Sequence, residues 1–280
     1  MLRIVTDGAA DILPEWATEY GIDVIPVNIL FGEKSYLQGS ELDNEGFYKL
    51  VEETKRIPKT SQPSPHQFVE FYRKIAQKGD TILSLHITAK LSGTYASAMA
   101  AAEELKDEFN IIPIDSIVGS LAIGLLCREA RKMERAGKSI DEIVKYIESK
   151  KTKIRVILTL DTLEYAKMSG RVKALQAALA SVLNVKPIAV LMNGVLDMKE
   201  KVRTRRAALD RVIAMAKEEF GDKPVYLAVV HARDLKSGQA LLDESKNHFN
   251  VKETMISDLA ISIAANLGPG TVGLILYPLE

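Results

Sequence analysis

Residues 81–108, TILSLHITAKLSGTYASAMAAAEELKDE, decide the fold. The stretch opens on an apolar, β-branched run, TILSLHI, and from Thr94 its small and apolar residues recur at helical spacing up to Glu108. A strand that feeds a helix after a short polar loop is half of a β-α-β unit, and such units build a parallel sheet covered by helices. The loop between the two, TAKLSGT (88–94), then falls at the carboxyl end of a strand, where open α/β sheets bind ligands.

Working outward, the same alternation continues. Strand-like runs begin at Leu2 (LRIVT), Ile22 (IDVIPVNILF) and Ile111 (IIPID), and helical periodicity predicts helices over 44–54, 65–77 and 118–136. After the charged segment ESKKTK a new apolar run, IRVILTL, opens a second half. Its expected strands are 188–192, 225–230 and 272–277, and its expected helices are 172–183, 204–219 and 235–247. The predicted architecture is therefore α/β in two domains, 1–151 and 152–280, with a mostly parallel sheet in the first.

Composition narrows the function. With 280 residues, 47% of them hydrophobic, the chain can bury a full core near the size at which one core divides in two. Thirty-seven basic residues balance 37 acidic ones, so no global field would hold it on nucleic acid or an anionic membrane. No run of about twenty apolar residues predicts a membrane span, and MLRIVTDGAA lacks the apolar core of a secretory signal, so the expected location is cytoplasmic.

Four histidines stand far apart with no HxxxH or Cys/His spacing, so no metal or cofactor is expected, and His86 and His231 read best as satisfied side chains at strand ends. Cys127, inside SLAIGLLCREA, reads as a small buried hydrophobe. The terminal GPGTVG (268–273) matches GxGxxG in form only, because an apolar strand follows it instead of a helix; it predicts a tight turn. In DGAAD (7–11), Asp7 is expected to tie down its loop and Asp11 to cap the next segment. The alternative is a metal-dependent enzyme acting on a small phosphorylated or carboxylated metabolite through Asp7 or Asp115.

Two hydroxyl-rich loops are more telling. KTSQPSPHQF (59–68) and TAKLSGTYASA (88–98) both precede helices, so each can present hydroxyls and free backbone N–H groups at a positive helix end. Ser64 fits an N-cap with Pro65 at the first helical position, and Ser92 and Thr94 could equally be caps. The basic run KEKVRTRR (199–206) opens a helix through Thr204 and offers either a solvated face or a docking surface for an acidic partner.

Taken together, TSQPS (60–64), LSGTYASA (91–98), SGRV (169–172), KVRTRR (201–206) and GPGTVG resemble the DegV family in order and over nearly the whole chain. That resemblance implies a two-domain α/β carrier that holds a long-chain fatty acid such as palmitate between its domains and performs no catalysis itself. In many bacteria such proteins serve a fatty acid kinase, whose separate ATP-binding subunit phosphorylates the presented carboxylate. The resemblance puts the carboxylate on Thr60 and Ser92, with Ser61, Gly93, Thr94, Arg171, Asn266 and Gly268 in the ligand site and Arg203 and Arg205 on the docking side. Gly8 stands where the family usually has Ser, and Asn266 where many members carry His.

Overall fold

The computed structural model describes residues 1–171 and 185–279. Four strands form the first sheet: β1 (Leu2–Asp7), β2 (Ile22–Ile25), β6 (Thr81–His86) and β7 (Asn110–Asp115), all parallel, in the order β2-β1-β6-β7. Helices α1 (Pro14–Tyr20), α3 (Pro65–Ile75), α4 (Thr94–Glu104) and α5 (Leu121–Arg135) lie along its connections. Phe68, Val69 and Tyr72 of α3 and Ala98 and Ala101 of α4 pack on one face of the sheet against Val5 and Ile82. Leu121, Leu125 and Cys127 of α5 pack on the other, against Ile4, Leu83 and Leu85. This is the period of 2 on the strands meeting the period of 3.6 on the helices.

The run IDVIPVNILF is not one strand. Pro26 has no N–H to continue the ladder, so β2 stops at Ile25 and the chain leaves the parallel sheet. It resumes as β3 (Asn28–Phe31), the centre of a small antiparallel sheet with β4 (Lys34–Leu37) and β5 (Lys59–Ser61). Helix α2 (Asn44–Thr54) lies between β4 and β5 in the chain. Thr60, expected in a loop, sits at the middle of β5 opposite Ile29.

The third sheet has the order β10-β9-β8-β13-β11-β12, from β8 (Arg155–Thr159), β9 (Lys186–Met192), β10 (Val195–Val202), β11 (Pro224–His231), β12 (Asn250–Asp258) and β13 (Val272–Pro278). Only β11 and β12 run parallel; the other pairs are antiparallel. The two strands that the sequence did not announce, β10 (VLDMKEKV) and β12 (NVKETMISD), are the sheet's edges. Charge on an edge strand discourages pairing with other chains, and it also masks the strand pattern. The outer face packs under α8 (Arg205–Phe220) and α9 (Leu235–Lys246) through Ile157, Val190, Leu227, Val229 and Leu274. The expected helix over 172–183 falls outside the described residues.

The inner face of this sheet, through Val156, Leu158, Leu191, Tyr226 and Ile275, joins the same core as α5. Helix α5 is therefore sandwiched between two sheets, which explains why every residue from Leu121 to Arg128 is buried. Helix α6 (Ile140–Lys151) was legible only as charge; it starts on a Ser139–Glu142 capping box and buries Ile143 and Ile147 in that core. Arg128, 3% exposed, crosses the junction: its guanidinium lies 4.8 Å from the Trp16 ring centre and 4.6 Å from that of Tyr226, and donates to Glu253 at 2.7 Å.

Candidate functional site

Thr60 of β5 and Ser92 of the loop before α4 line one cavity, together with Arg171, which follows helix α7 (Glu164–Ser169), and Asn266 of α10 (Ile261–Leu267). The end of the TSQPS loop is fixed by a local cap. Ser64 accepts from Gln67 N at 3.2 Å while the Gln67 side chain accepts from Ser64 N at 2.8 Å, and Pro65 occupies the first helical turn. In the second loop α4 starts at Thr94 without a side-chain cap. Ser92 Oγ instead accepts from Thr94 N at 3.3 Å and lies 2.8 Å from Thr94 Oγ1, so the two hydroxyls form a pair. Gly93 leaves room for the Gln62 side-chain amide, whose Nε2 would stand 2.6 Å from a Cβ there.

Asn266 organises the mouth. Its Nδ2 donates to Ser262 O at 2.7 Å and to Thr60 Oγ1 at 3.4 Å, and its Oδ1 accepts from Arg171 Nη1 at 3.2 Å. Arg171 also donates to Ser169 O at 3.1 Å and to Thr60 O at 3.5 Å. The amide thus orients both the hydroxyl and the cation and leaves Arg171 as the positive charge of the mouth. Ser61, also expected in the site, lies beside Thr60 in β5, with its hydroxyl donating to Gln62 O at 3.4 Å. Gly268 caps α10 with φ +86, and a Cβ there would meet Tyr165 Cδ2 at 2.9 Å; it holds the helix against α7.

Below the mouth the lining turns apolar. Ile87, Leu91, Leu196, Ile263 and Leu267 are shared with a second cavity whose further walls include Gly119, Val156, Leu158, Leu191 and Val230. The two cavities are one slot with a polar end and an apolar end. Sequence reading had missed Ile263 and Leu267, although their i, i+4 spacing on a short apolar helix is the signal that would have found them.

Asp7 also borders the slot, fully buried. Its Oδ1 accepts from Ala9 N at 2.9 Å, and its Oδ2 from Ile87 N and His86 Nδ1, both at 3.0 Å. Behind it His86 Nε2 lies 2.7 Å from Ser84 Oγ, and Ser84 Oγ lies 2.8 Å from the Tyr72 hydroxyl. A Ser-His-Asp series is present, but Ser84 is fully buried and lines neither of the two cavities described above. Burial pushes the Tyr72 phenol above its usual range and the Cys127 thiol up to about 12. Asp115 Oδ1 is likewise occupied, by Ala89 N at 3.2 Å and Ile117 N at 2.9 Å. Among the described residues no cluster of three or more His, Cys, Asp or Glu is arranged to hold a metal ion.

Two expectations are revised by the geometry, and the departure at Gly8 gains an account. Asp11 does not cap the helix that follows it; the N-cap of α1 is Leu13, with no side-chain bond, and the Asp11 carboxylate accepts from Ala260 N at 2.8 Å, from the Ser120 hydroxyl and from Leu121 N at the start of α5. Arg205 is not on an open docking face: its Nη2 donates at 2.6 Å to both Asp234 Oδ2 and Gly270 O, while Arg203 remains exposed. Gly8 is accompanied by Gln38, whose Nε2 donates to Gly8 O at 2.7 Å and whose Oε1 would stand 2.9 Å from a Cβ at position 8. The amide occupies the place a larger residue would fill.

Comparison with known proteins follows the same lines. The model of the DegV family, described as "Uncharacterised protein, DegV family", matches residues 1–279. Protein DegV of Bacillus subtilis is 32% identical over 275 residues, 98% of each chain. A solved structure from Thermus thermophilus, described as fatty acid binding of a DegV family protein, superposes with a TM-score of 0.91 at 29% identity, over 99% of both chains. A stearic-acid-binding protein from Eubacterium ventriosum gives a TM-score of 0.91 at 26% identity, over 99% of this chain and 98% of that one. With its sheets, its paired hydroxyl loops and its full-length match, the chain belongs to the DegV family.

Proposed function

We propose that this protein binds one long-chain fatty acid, with the carboxylate on Thr60 and Ser92 beside Arg171 and the tail in the apolar slot. The observation that carries the reading is the polarity of the slot: hydroxyls, an amide and a guanidinium at one end, aliphatic walls at the other. The relatives described as fatty-acid-binding support the same ligand class. Burying about a dozen methylenes at ~0.8 kcal/mol each contributes on the order of 10 kcal/mol, against an association cost of roughly 4–15 kcal/mol. The tail therefore supplies affinity, and hydrogen bonds of about 1.5–3 kcal/mol each to the charged head fix its direction.

The carboxylate sits at the mouth, so this chain acts as a cytoplasmic carrier that presents the head to a separate ATP-binding kinase subunit. Exposed Arg203 belongs to that docking side. Metal-dependent catalysis by Asp7 or Asp115 is disfavoured because both oxygens of Asp7 and Oδ1 of Asp115 already accept hydrogen bonds from the protein, and no cluster among the described residues is arranged to hold a metal ion.

Titration of delipidated protein with palmitate tests the reading. Wild type takes up the acid; Thr60→Ala and Ser92→Ala each weaken it about 10-fold or more, in line with one charge-assisted bond. Uptake unchanged in the double variant would remove the carboxylate assignment, and no uptake by wild type would remove the ligand.

A further inference from the structure

Gly119 lies in the loop between β7 and α5 and lines only the distal, apolar cavity of the slot, together with Val156, Leu158 and Leu191. A Cβ built there would meet Leu191 Cδ2 at 3.5 Å and Ile87 Cδ1 and Cγ1 at 3.7 Å, which is ordinary contact. Its backbone is not in the left-handed region, so a side chain adds no strain. The absent side chain is therefore not required by the turn; what its absence leaves is space between two walls of the slot. Gly273, the other glycine of that cavity, differs: its Cβ would stand 3.2 Å from Val230 Cγ2 and 3.4 Å from Leu158 Cβ, so strand packing accounts for it.

We infer that Gly119 is the length gauge of the slot, the position whose missing side chain admits the distal half of a long acyl chain. The inference rests on the fatty acid reading. A larger residue at 119 points between Ile87 and Leu191 and truncates the distal cavity, while Thr60, Ser92, Arg171 and Asn266 at the far end keep their places. Long acids then lose the burial of their last methylenes, each worth roughly fourfold in affinity, and short acids lose nothing.

The test compares decanoate, palmitate and stearate on delipidated wild type, Gly119→Ala and Gly119→Leu, with a thermal melt of each protein. Expected for Gly119→Leu is a loss of about 100-fold or more for stearate with decanoate changed by less than about threefold, the equivalent of some three to four excluded methylenes. Gly119→Ala, which fits at ordinary contact distance, should fold as wild type and shift stearate by a few-fold. Equal losses for all three acids, or stearate bound as tightly by a folded Gly119→Leu protein as by wild type, would overturn the gauge. If wild type binds none of the acids, the fatty acid reading itself falls, which is a separate result.

Discussion

At the scale of single residues, the most consequential side chain outside the slot is Asp11. It sits 7% exposed with φ +48, and burial pushes its carboxyl up to about 7 against the opposing hydrogen bonds from Ser120 and Ala260, with Asp258 adding a small push in the same direction. A carboxyl whose folded value lies above its unfolded value favours folding when protonated. Its contribution is therefore present below about pH 4 and is lost as the pH rises through about 7. Asp11→Asn, which keeps an acceptor for Ala260 N, should flatten the fall in stability between pH 5 and pH 8 and raise stability at the upper end by on the order of a few kcal/mol. Chemical denaturation at both pH values checks this; a parallel shift at the two would contradict it. Asn266→Ala should cost about 10-fold in palmitate affinity, because it frees Thr60 Oγ1 and Arg171 from their common partner. The bridge this amide makes between Thr60 and Arg171 was not legible in the sequence, where Asn266 registered as a ligand-site residue standing where many members carry His. Thr60 and Ser92 were legible by their motifs, but their convergence depends on a fold that brings position 60 to position 266.

At the scale of elements, the parallel β-α units of the first half were readable because their strands are apolar and their helices follow at once. What escaped reading has physical causes. Pro26 split an apolar run that periodicity alone joins, and the edge strands β10 and β12 carry charge where a strand pattern is sought. The hairpin β9–β10 shows how such an element serves the slot. Asn193 and Gly194 turn it with φ +51 and +80, Thr88 Oγ1 donates to Gly194 O at 3.2 Å, and Lys90 Nζ donates to Asn193 O at 3.0 Å. Leu191 and Leu196, flanking that tip, are slot walls. A Cβ on Gly194 would lie 2.5 Å from Thr88 Oγ1. Gly194→Ala should therefore destabilise the protein by about 1–3 kcal/mol through positive-φ strain and the clash. It should also accelerate palmitate release, measured by stopped flow. Unchanged release with lowered stability would confine the hairpin to a structural role.

At the scale of the whole molecule, the sequence divides near Lys151 by composition, yet the core does not follow that division. Helix α5 belongs by sequence to the first half and packs against both sheets, and Arg128 on it is held by Trp16 from one side and Tyr226 from the other. Sequence periodicity sees that the first two turns of this helix, Leu121 to Cys127, are apolar all round; it cannot see which second sheet covers them. Arg128→Ala should cost on the order of 3 kcal/mol, from lost cation–π contacts and the cavity left between the rings, while Glu253, itself half exposed, is released to solvent. Guanidinium denaturation measures it, and a cost near zero would show that the junction is held by α5 alone. The slot lies along this junction, with Thr60, Ser92 and Gly119 contributed from one side and Leu158, Leu196, Ile263 and Asn266 from the other.

The most direct measurement is mass spectrometry of lipid extracted from the freshly purified protein and from its Thr60→Ala/Ser92→Ala variant. A chain that grips a carboxylate at the mouth of an apolar slot should yield a stoichiometric straight-chain fatty acid from wild type and a strongly depleted amount from the variant. An extract free of acyl chains, or the same acid retained in full by the variant, would contradict the account.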